Sequence, residues 1–500
     1  MTVNEANESR IKQMFVSRLQ LRPPVDDDPR QFSRGKKALI LSSIALCAGT
    51  SGFASTIYFP GLPAITSDLN APPMATTLTA ALFVLFMGIA PVFWATLSDF
   101  YQVRRILFMF SMMIFGAASL GSTFLNNIWG IVVLRCVQSF GSSCGQSVGA
   151  GVIADCYPVE QRGAAFGKYF FGVFLGPLLG PIVGGFLIIS NSSWRATFLF
   201  CVALAVFNIA FVFFALPETY RIDEKFDTQL PFADRLSLAE GKSKGSASDS
   251  LSETLSGTDE RPKENASTAN VNVPSKPKLN PISVFLLLRH PFILMGSLVS
   301  GIAFGCMFAT ETIVPILYTQ YYGFSSWETG LSYLGAGLGN LFGSLVGGFL
   351  SDRLLLRSRR LRGGAAVVED RITANLWPCG CIIVPFGLLL FGWSIQSGKT
   401  VWAPIIAFGI QCFGVNQVMT GTSAYLVDAM PGRGASATAA ANFVRMVLAC
   451  ALSLISNPLV ESIGPGWTSV LLASMALFSM LLLLCLKIWG ERLRRWSGFA

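Results

Sequence analysis

Long apolar runs separated by short polar segments make up most of the chain. Each run is close to the length of about 20 residues that an α-helix needs to cross the hydrocarbon core of a bilayer. Six runs precede a long polar stretch and six follow it. The pattern therefore predicts an all-α, polytopic membrane protein with twelve transmembrane helices in two pseudo-symmetric six-helix bundles. The predicted spans are 38–60, 76–98, 106–125, 128–151, 165–190, 195–216, 292–319, 328–350, 373–395, 401–427, 435–460 and 467–488.

The composition agrees with a chain that lies mostly in lipid. Hydrophobic residues make up 52% of the chain and charged residues 13%, against about 25% charged residues in a soluble protein. The mean hydropathy is +0.55. The eleven cysteines are scattered, nearly all in apolar runs, which indicates small buried side chains rather than a disulfide framework. Because His290 is the only histidine, the sequence predicts no metal site, no cofactor and no enzyme.

The positions of the basic residues orient the predicted spans. Of the 37 Lys and Arg residues, only Arg195 and Lys399 lie on one side of the membrane, and only Arg135 and Arg445 lie deep inside spans, away from the span ends. All the others lie on the side of the N-terminus, and an excess of Lys and Arg marks the cytosolic side. Both termini are therefore expected in the cytosol. The net charge of +9 is explained by this topology and does not indicate nucleic-acid binding.

These patterns divide the chain into five predicted parts. Residues 241–280 contain no aromatic residue and many Ser, Thr and charged residues, so this stretch cannot bury enough apolar surface to become ordered. The predicted parts are a cytosolic N-terminal tail (1–37), a first six-helix bundle (38–217), a disordered cytosolic linker (218–290), a second six-helix bundle (291–488) and a cytosolic C-terminal tail (489–500).

Corresponding turns recur in the two predicted bundles. Asp99 and Arg104 follow the second span, and Asp352 and Arg357 follow the eighth, five residues apart in both places. An Asp-x-x-Pro sequence also ends both the fourth and the tenth span. Duplicated halves with a binding site between them are typical of secondary transporters.

Glycine and proline recur with a period of four in the fifth span. The spacing places the glycines on one helix face, where the missing side chains let another helix approach closely. The prolines bend the helix by freeing two carbonyl groups. Static packing and a sliding face that lets the bundles rock are both consistent with the pattern. The block consists of Gly172, Gly176, Pro177, Gly180, Pro181, Gly184 and Gly185, and the eighth span has glycines at 335, 339, 343 and 347.

Through these motifs the chain resembles the major facilitator superfamily, and within it the twelve-span drug:proton antiporters of fungi. The block in the fifth span looks like the antiporter motif of that family. Residues 95–105 look like its loop motif after the second span, although Ala95 and Gln102 replace the usual glycines. Arg135 and Gln138 match its fourth-span motif, and residues 216–220 look like the end of the sixth span. The resemblance covers about residues 38–220 and 290–490.

The resemblance implies an inner gate that is held by acidic and basic side chains of the loops. These residues lie at the predicted cytosolic ends of helices, where charges interact with helix termini and with one another. Helix capping and simple topology charges are the alternative. The implied gate residues are Asp99, Arg104, Arg105, Asp352, Arg353 and Arg357.

Three charged residues lie deep inside predicted spans, away from the span ends, where charge is costly. Glu311 is the only acid well inside a span, and a carboxyl group there could exchange a proton as a cavity opens and closes. A static ion pair and a position near the outer rim are the alternatives for Glu311. Arg135 matches the family arginine that is linked to proton coupling, so Glu311 and Arg135 are the predicted coupling residues. The third deep charge is Arg445.

The charge balance and the polar residues of the spans suggest what the cavity holds. Two arginines against one glutamate leave a net charge of +1 among the deep residues, which favours a neutral or anionic cargo such as a carboxylate metabolite. Ordinary packing and interhelical hydrogen bonds are the alternative for each polar residue. The residues predicted to line the cavity are Tyr58, Gln138, Asn416, Gln417, Asn442 and Arg445.

The sequence thus predicts a proton-coupled antiporter that exports a small organic molecule, either a xenobiotic or a metabolite, by alternating access. Its expected partners are this substrate, protons and the bilayer, and it is expected as a monomer in the plasma membrane or, alternatively, the vacuolar membrane. A uniporter or importer and a transporter-like sensor remain alternatives. A nucleotide-driven pump does not fit, because Trp393 stands where a phosphate-binding loop ending in Gly398-Lys399-Thr400 needs a glycine.

Overall fold

The computed structural model describes residues 27–157, 159–190, 193–221, 282–361, 368–398, 400–430 and 434–498. The predicted linker lies mostly outside these residues, and so does most of the N-terminal tail. All regular structure in the described part is helical. The all-α prediction is therefore confirmed.

The first half of the chain forms six long helical segments at the predicted positions, with a short helix, Leu62–Asp68, between the first two. The fourth is interrupted at Ser143, where two shorter helices meet. The helices are α1 (Arg34–Thr56), α2 (Pro73–Tyr101), α3 (Arg105–Phe124), α4 (Ile128–Ser142 and Cys144–Cys156), α5 (Val159–Ile188) and α6 (Arg195–Ala215).

The second half repeats this order. Its last helix, Gly434–Trp496, contains the non-helical residue Gly464 with φ 79° and ψ 165°, which divides it into α11 (434–463) and α12 (465–496). A positive φ of this kind favours glycine. The preceding helices are α7 (Pro291–Tyr322), α8 (Ser326–Leu361), α9 (Leu376–Gln396) and α10 (Trp402–Asp428).

Each predicted span thus falls on one helical segment of the structure. Ten helices of the described part are long and apolar enough to cross a membrane, if α11 and α12 are taken as the one continuous helix in which they lie. The interrupted α4 accounts for the remaining predicted span. The protein is a multi-pass membrane protein, and the count of twelve crossings remains a prediction.

Local capping explains where several helices begin and end. The Ser33 hydroxyl accepts a hydrogen bond from the Lys36 N–H at the start of α1, and the Asn127 side chain does the same for Trp129 at the start of α4. Gln102 and Gly323 end α2 and α7 in left-handed conformations, with φ of 55° and 65°. Successive helices run in opposite directions, so the bundle has a termini side, where α1 begins, and a far side, where α1 ends.

The regularly spaced glycines of α5 and α8 pack inside their own halves. A side chain at Gly176 or Gly180 would collide with the backbone of α1 at Gly49 or Phe53. A side chain at Gly339 would collide with Gly409 of α10. The remaining contacts of this kind join Gly172 to Ala45, Gly184 to Ile57, Pro177 to Gly52, Gly335 to Ile405 and Gly343 to Phe413.

A different face of α5 packs on α8 of the other half. A side chain at Gly330 would collide with the Pro181 carbonyl, and one at Gly185 would meet Ser326. Gly337 leaves room for Leu178 in the same way. These contacts lie toward the far side, where α5 ends and α8 begins. The two halves are therefore in direct contact on the far side.

Replacing Gly180 by Leu should destabilise the protein, because the new side chain meets Thr56 and the backbone of α1. Overpacking of this kind costs about 1–3 kcal/mol. We expect a lower thermal midpoint of the detergent-solubilised protein, read from intrinsic fluorescence. Gly348→Leu in α8 is the matched control, because nothing lies within 4 Å of a Cβ at that position. Equal midpoints for the two variants would show that α5 does not need the close approach to α1.

Candidate functional site

One face of α7 points into the interior of the bundle and carries Glu311. Phe304 and Glu311 lie seven residues apart, on the same helix face, and both are partly exposed, whereas all residues between them are buried. The Tyr333 hydroxyl of α8 donates a hydrogen bond of 2.6 Å to the main-chain carbonyl of Glu311. Within the described residues, the Glu311 carboxylate has no ion-pair partner. A static ion pair therefore finds no support at this position.

Arg445 of α11 stands beside this face of α7. Its guanidinium lies 5.3 Å from the centre of the Phe304 ring, and its Nη2 donates a hydrogen bond to the Asn442 side chain one turn earlier. Its Nε is buried and has no hydrogen-bond partner among the described residues. Arg445 and Asn442 thus lie together, and their role as cavity residues stays a prediction.

Arg135 is held deep inside the first half. The side chain is 1% exposed, and its guanidinium lies between the rings of Tyr58, at 4.6 Å, and Phe83, at 4.1 Å. Its Nη1 donates hydrogen bonds to the Ala54 carbonyl at 3.0 Å and to Gln138 at 2.8 Å. Aromatic faces and neutral oxygens stabilise the cation here, and no carboxylate of the described residues lies within ion-pair distance.

Tyr58 and Gln138 belong to the surroundings of Arg135 in this conformation. Tyr58 lies two residues after the end of α1, just before a short turn of 3₁₀-helix at Phe59–Gly61, and is 1% exposed. Gln138 is fully buried and donates a 2.8 Å hydrogen bond to Ser119 of α3. The sequence predicted both residues as cavity lining, whereas the structure packs them inside the first half, around the guanidinium.

Asn416 and Gln417 of α10 connect helices of the second half. Asn416 donates to the side chain of Asn340 on α8 at 2.5 Å. Gln417 donates to the Gly343 carbonyl at 2.9 Å and accepts from Asn375 at 3.0 Å. These contacts correspond to the interhelical alternative. The sequence did not predict Asn340 as a site residue. Asn340 lies within the glycine pattern of α8, and that pattern indicated helix packing.

Arg104 forms the centre of a charged cluster on the termini side of the first half. It makes ion pairs with Asp155 of α4 at 3.1 Å and with Asp99 of α2 at 3.2 Å, and its guanidinium lies 4.8 Å from the Tyr220 ring. The structure therefore brings Asp99 and Arg104 together, as predicted. It adds Asp155, which the repeat had marked only as a recurring turn.

Glu218 completes this cluster and was not predicted as a site residue. Its carboxylate accepts hydrogen bonds from the backbone N–H groups of Arg104, at 2.9 Å, and Arg105, at 3.2 Å. These groups open α3, so the carboxylate caps the positive end of that helix. The side chain of Arg105 is buried. Glu218 belongs to residues 216–220, which the sequence pattern identified only as a family motif.

The second half repeats the arrangement with a different arginine. Arg371, just before α9, makes an ion pair of 2.8 Å with Asp428 at the end of α10. This pair corresponds to Arg104 and Asp155. Arg357, which the five-residue spacing selected, is exposed on α8. The two halves therefore match in three dimensions, although the longer loop of the second half shifts the sequence spacing.

The other predicted gate residues of the second half lie on α8. Arg353 is exposed and stacks on the ring of Phe349, one turn earlier on the same helix, at 3.9 Å. The side chain of Asp352 lies outside the described residues. Nearby, Glu369 forms a 2.8 Å ion pair with Arg494 of α12, so the loop before α9 is joined to the last helix.

Known families and structures account for this architecture. Residues 44–454 match the family model described as Major Facilitator Superfamily. The chain belongs to this superfamily. Solved structures of two transporters have a fold similar to that of this chain. The partially occluded inward-open xylose transporter XylE from E. coli is similar, with a TM-score of 0.62 and 12% identity over 90% of this chain and 98% of that chain. The human organic anion transporter MFSD10 reaches a TM-score of 0.54 with 16% identity over 89% of this chain and 99% of that chain.

Fungal members of the superfamily resemble the chain along nearly its whole length. The MFS transporter fsa7 of Fusarium sp. (strain FN080326) is 30% identical over 475 residues, which cover 94% of this chain and 88% of that protein. The MFS antiporter QDR3 of Candida albicans is 27% identical over 563 residues, which cover 94% of this chain and 80% of that protein. The resemblance to fungal members of the superfamily is thus confirmed.

Replacing Glu218 by Ala should lower the stability of the first half. Two buried N–H groups at the start of α3 lose their acceptor, which costs about 1–3 kcal/mol. We expect a lower thermal midpoint and faster proteolysis at the loop between α2 and α3. Glu461→Ala, at an exposed position of α11, is the control. Unchanged protease sensitivity in Glu218→Ala would mean that the carboxylate does not hold the start of α3.

Proposed function

We propose that this superfamily member is a proton-coupled antiporter that exports a small organic molecule, either a xenobiotic or a cellular metabolite, by alternating access. The observation that supports the proposal best is Glu311, a carboxyl group on the inner face of α7 without an ion-pair partner among the described residues. The relative QDR3 is named an antiporter. The orientation that goes with the proposal has both termini in the cytosol of a plasma-membrane protein, with the vacuolar membrane as the alternative.

Contacts on the far side join the two halves, and in the proposed cycle they represent the state that is closed on that side. The Phe59 ring, from the end of α1, stacks on Tyr333 of α8 with 6.3 Å between centroids and packs edge-on against Phe308 of α7 at 5.7 Å. The side chain of Asn457 on α11 donates a 2.6 Å hydrogen bond to Thr77 on α2. In the proposed orientation this conformation is closed to the outside.

Tyr333 links the closed far side to the proposed proton carrier. Its ring stacks on Phe59, and its hydroxyl donates to the main chain of Glu311. Separation of the halves on the far side would break the Phe59 contact and admit water to Glu311. The carboxylate would then take up a proton from outside, cross the occluded state in its neutral form, which costs less in a low-dielectric interior, and release the proton to the cytosol.

Arg135 is the second proposed coupling residue, and it acts on α1. Its hydrogen bond to the Ala54 carbonyl fixes the segment that leads into Tyr58 and Phe59. A change in the surroundings of Arg135 would therefore reach the far-side contact through the segment from Ala54 to Phe59, which includes the end of α1.

Charged residues on the termini side are proposed to form the gate of the opposite state. Arg104 with Asp99 and Asp155, and Arg371 with Asp428, already join helices within each half. We place Arg105, Asp352, Arg353 and Arg357 in the same region. The chain is proposed to work as a monomer. The predicted linker 218–290 is proposed to tether the two six-helix units in the cytosol, and Glu218 at its start remains packed on the first half.

Replacing Glu311 by Gln should uncouple transport from the proton gradient, because the amide keeps the shape but carries no titratable proton. The cargo is first identified by comparing metabolites of cells with and without the protein. Its movement into vesicles is then measured with and without an imposed pH gradient. We expect the gradient to stimulate the wild type and to leave Glu311→Gln unaffected. Glu461→Gln is the matched control.

Two outcomes of this measurement favour the alternatives. Wild-type transport that ignores the pH gradient would replace antiport by uniport or facilitated import. If no compound moves under any gradient, the transporter-like sensor becomes the better interpretation.

Replacing Phe59 by Ala should open the far side, because the ring that bridges the halves is removed. The accessibility of Glu311→Cys to a membrane-impermeant thiol reagent, applied from the far side, measures the opening against the background of the native cysteines. We expect severalfold faster labelling when Phe59→Ala is added. Phe386→Ala, at a lipid-facing position that is 53% exposed, should leave the rate unchanged. Equal rates in both double variants would contradict a gate at Phe59.

A further inference from the structure

The inner face of α11 can be identified from its lipid-facing side. Val447 is 36% exposed and Ile455 is 50% exposed, and Ala451 is exposed between them. Residues of an α-helix are rotated by about 100° from one to the next, so Asn442 lies about 180° from Ala451. Asn442 and the neighbouring Arg445 are partly exposed on the side that faces the bundle interior.

The Arg445 guanidinium has more N–H donors on this inner face than its hydrogen bonds use. A guanidinium has five N–H donors, and the hydrogen bond to Asn442 uses one of them. Nε is buried without an acceptor. No carboxylate of the described residues lies within ion-pair distance of Arg445. The site therefore presents an uncompensated positive charge with directed donors.

The other deep arginine is not arranged in this way. Arg135 is 1% exposed and enclosed by the rings of Tyr58 and Phe83, so a cargo molecule cannot reach it without repacking the first half. Arg445 has one ring neighbour, Phe304, and a partly exposed side chain. Of the two, only Arg445 is placed to contact a molecule in the space between the halves.

Glu311 carries the opposite charge on the same wall, by which we mean the adjoining inner faces of α7 and α11. Arg445 stands over Phe304, and Glu311 follows seven residues later on the same face of α7, which is about 10 Å along the helix axis. Among the described residues, Arg445 and Glu311 form no ion pair. The wall therefore has a positive position toward the termini side, a negative position toward the far side, and an aromatic surface between them.

We infer that Arg445, oriented by Asn442, binds an anionic group of the cargo, such as a carboxylate or another planar oxyanion. A guanidinium matches such groups through paired, charge-assisted hydrogen bonds. The apolar body of the cargo then lies against Phe304 and extends toward Glu311. The inference rests on the proposed function, because it takes the space between the halves as the path of the cargo.

Binding of matched probes to the purified full-length protein tests the inference without requiring transport. The probes are phenylalkanoates of increasing chain length, their methyl esters and the corresponding phenylalkylamines, with affinities measured by calorimetry in detergent. We expect the carboxylates to bind roughly tenfold to a hundredfold more tightly than their esters, as for a hydrogen bond to a charged group. Arg445→Gln should remove this preference and leave the ester affinity unchanged, which also reports a folded protein.

Two further variants make the result specific. Arg445→Lys keeps the charge and should retain part of the preference, and Arg492→Gln removes an exposed arginine near the end of α12 and should retain all of it. Equal binding of acid and ester by the wild type, tighter binding of the amine, no binding of the carboxylate, or an unchanged preference in Arg445→Gln would each overturn the inference. Failure of pH-driven transport with the acid preference intact would count against antiport alone.

Discussion

The free-energy cost of placing charge in a low-dielectric interior governs this structure. Nearly all basic residues are kept outside the spans, and the few deep charges occupy distinct environments. Arg135 is stabilised by two aromatic faces and two neutral oxygens. Glu311 and Arg445 instead face the interior, where water or a bound molecule can compensate them. A buried charge without compensation costs several kcal/mol, which is why we propose that the path of the cargo passes these two positions.

Glycine sets how the helices around this path can pack. In α5 one face meets α1 of the same half, and another meets α8 of the other half. The regular spacing of four belongs to the first contact, whereas Gly185 and Gly330 belong to the second. A single helix thus carries both the packing within its half and the contact with the other half, which opens and closes in the proposed transport cycle. In both contacts small residues let the helix backbones approach closely.

Ion pairs on the termini side show the internal symmetry more faithfully than the sequence does. Arg104 and Asp155 in the first half correspond to Arg371 and Asp428 in the second. In both halves, an arginine at the start of one helix meets an aspartate at the end of the next. Additional contacts differ, since Glu218 caps α3 whereas Glu369 binds the last helix through Arg494. The arginine–aspartate ion pair is therefore the contact that the two halves have in common.

The sequence alone determined the helical class, the positions of the twelve predicted spans and the deep charges, because lipid imposes a length and a polarity that can be read residue by residue. It also placed Asp99 beside Arg104, since both lie in one short loop. Tertiary structure decided which residues meet across the chain. Tyr58 and Gln138 enclose Arg135 instead of lining an open wall, Arg371 takes the position expected for Arg357, and Phe59 reaches the other half. These outcomes depend on how helices rotate and pack, and hydrophobic periodicity does not fix the rotation of a helix that is apolar on most of its surface.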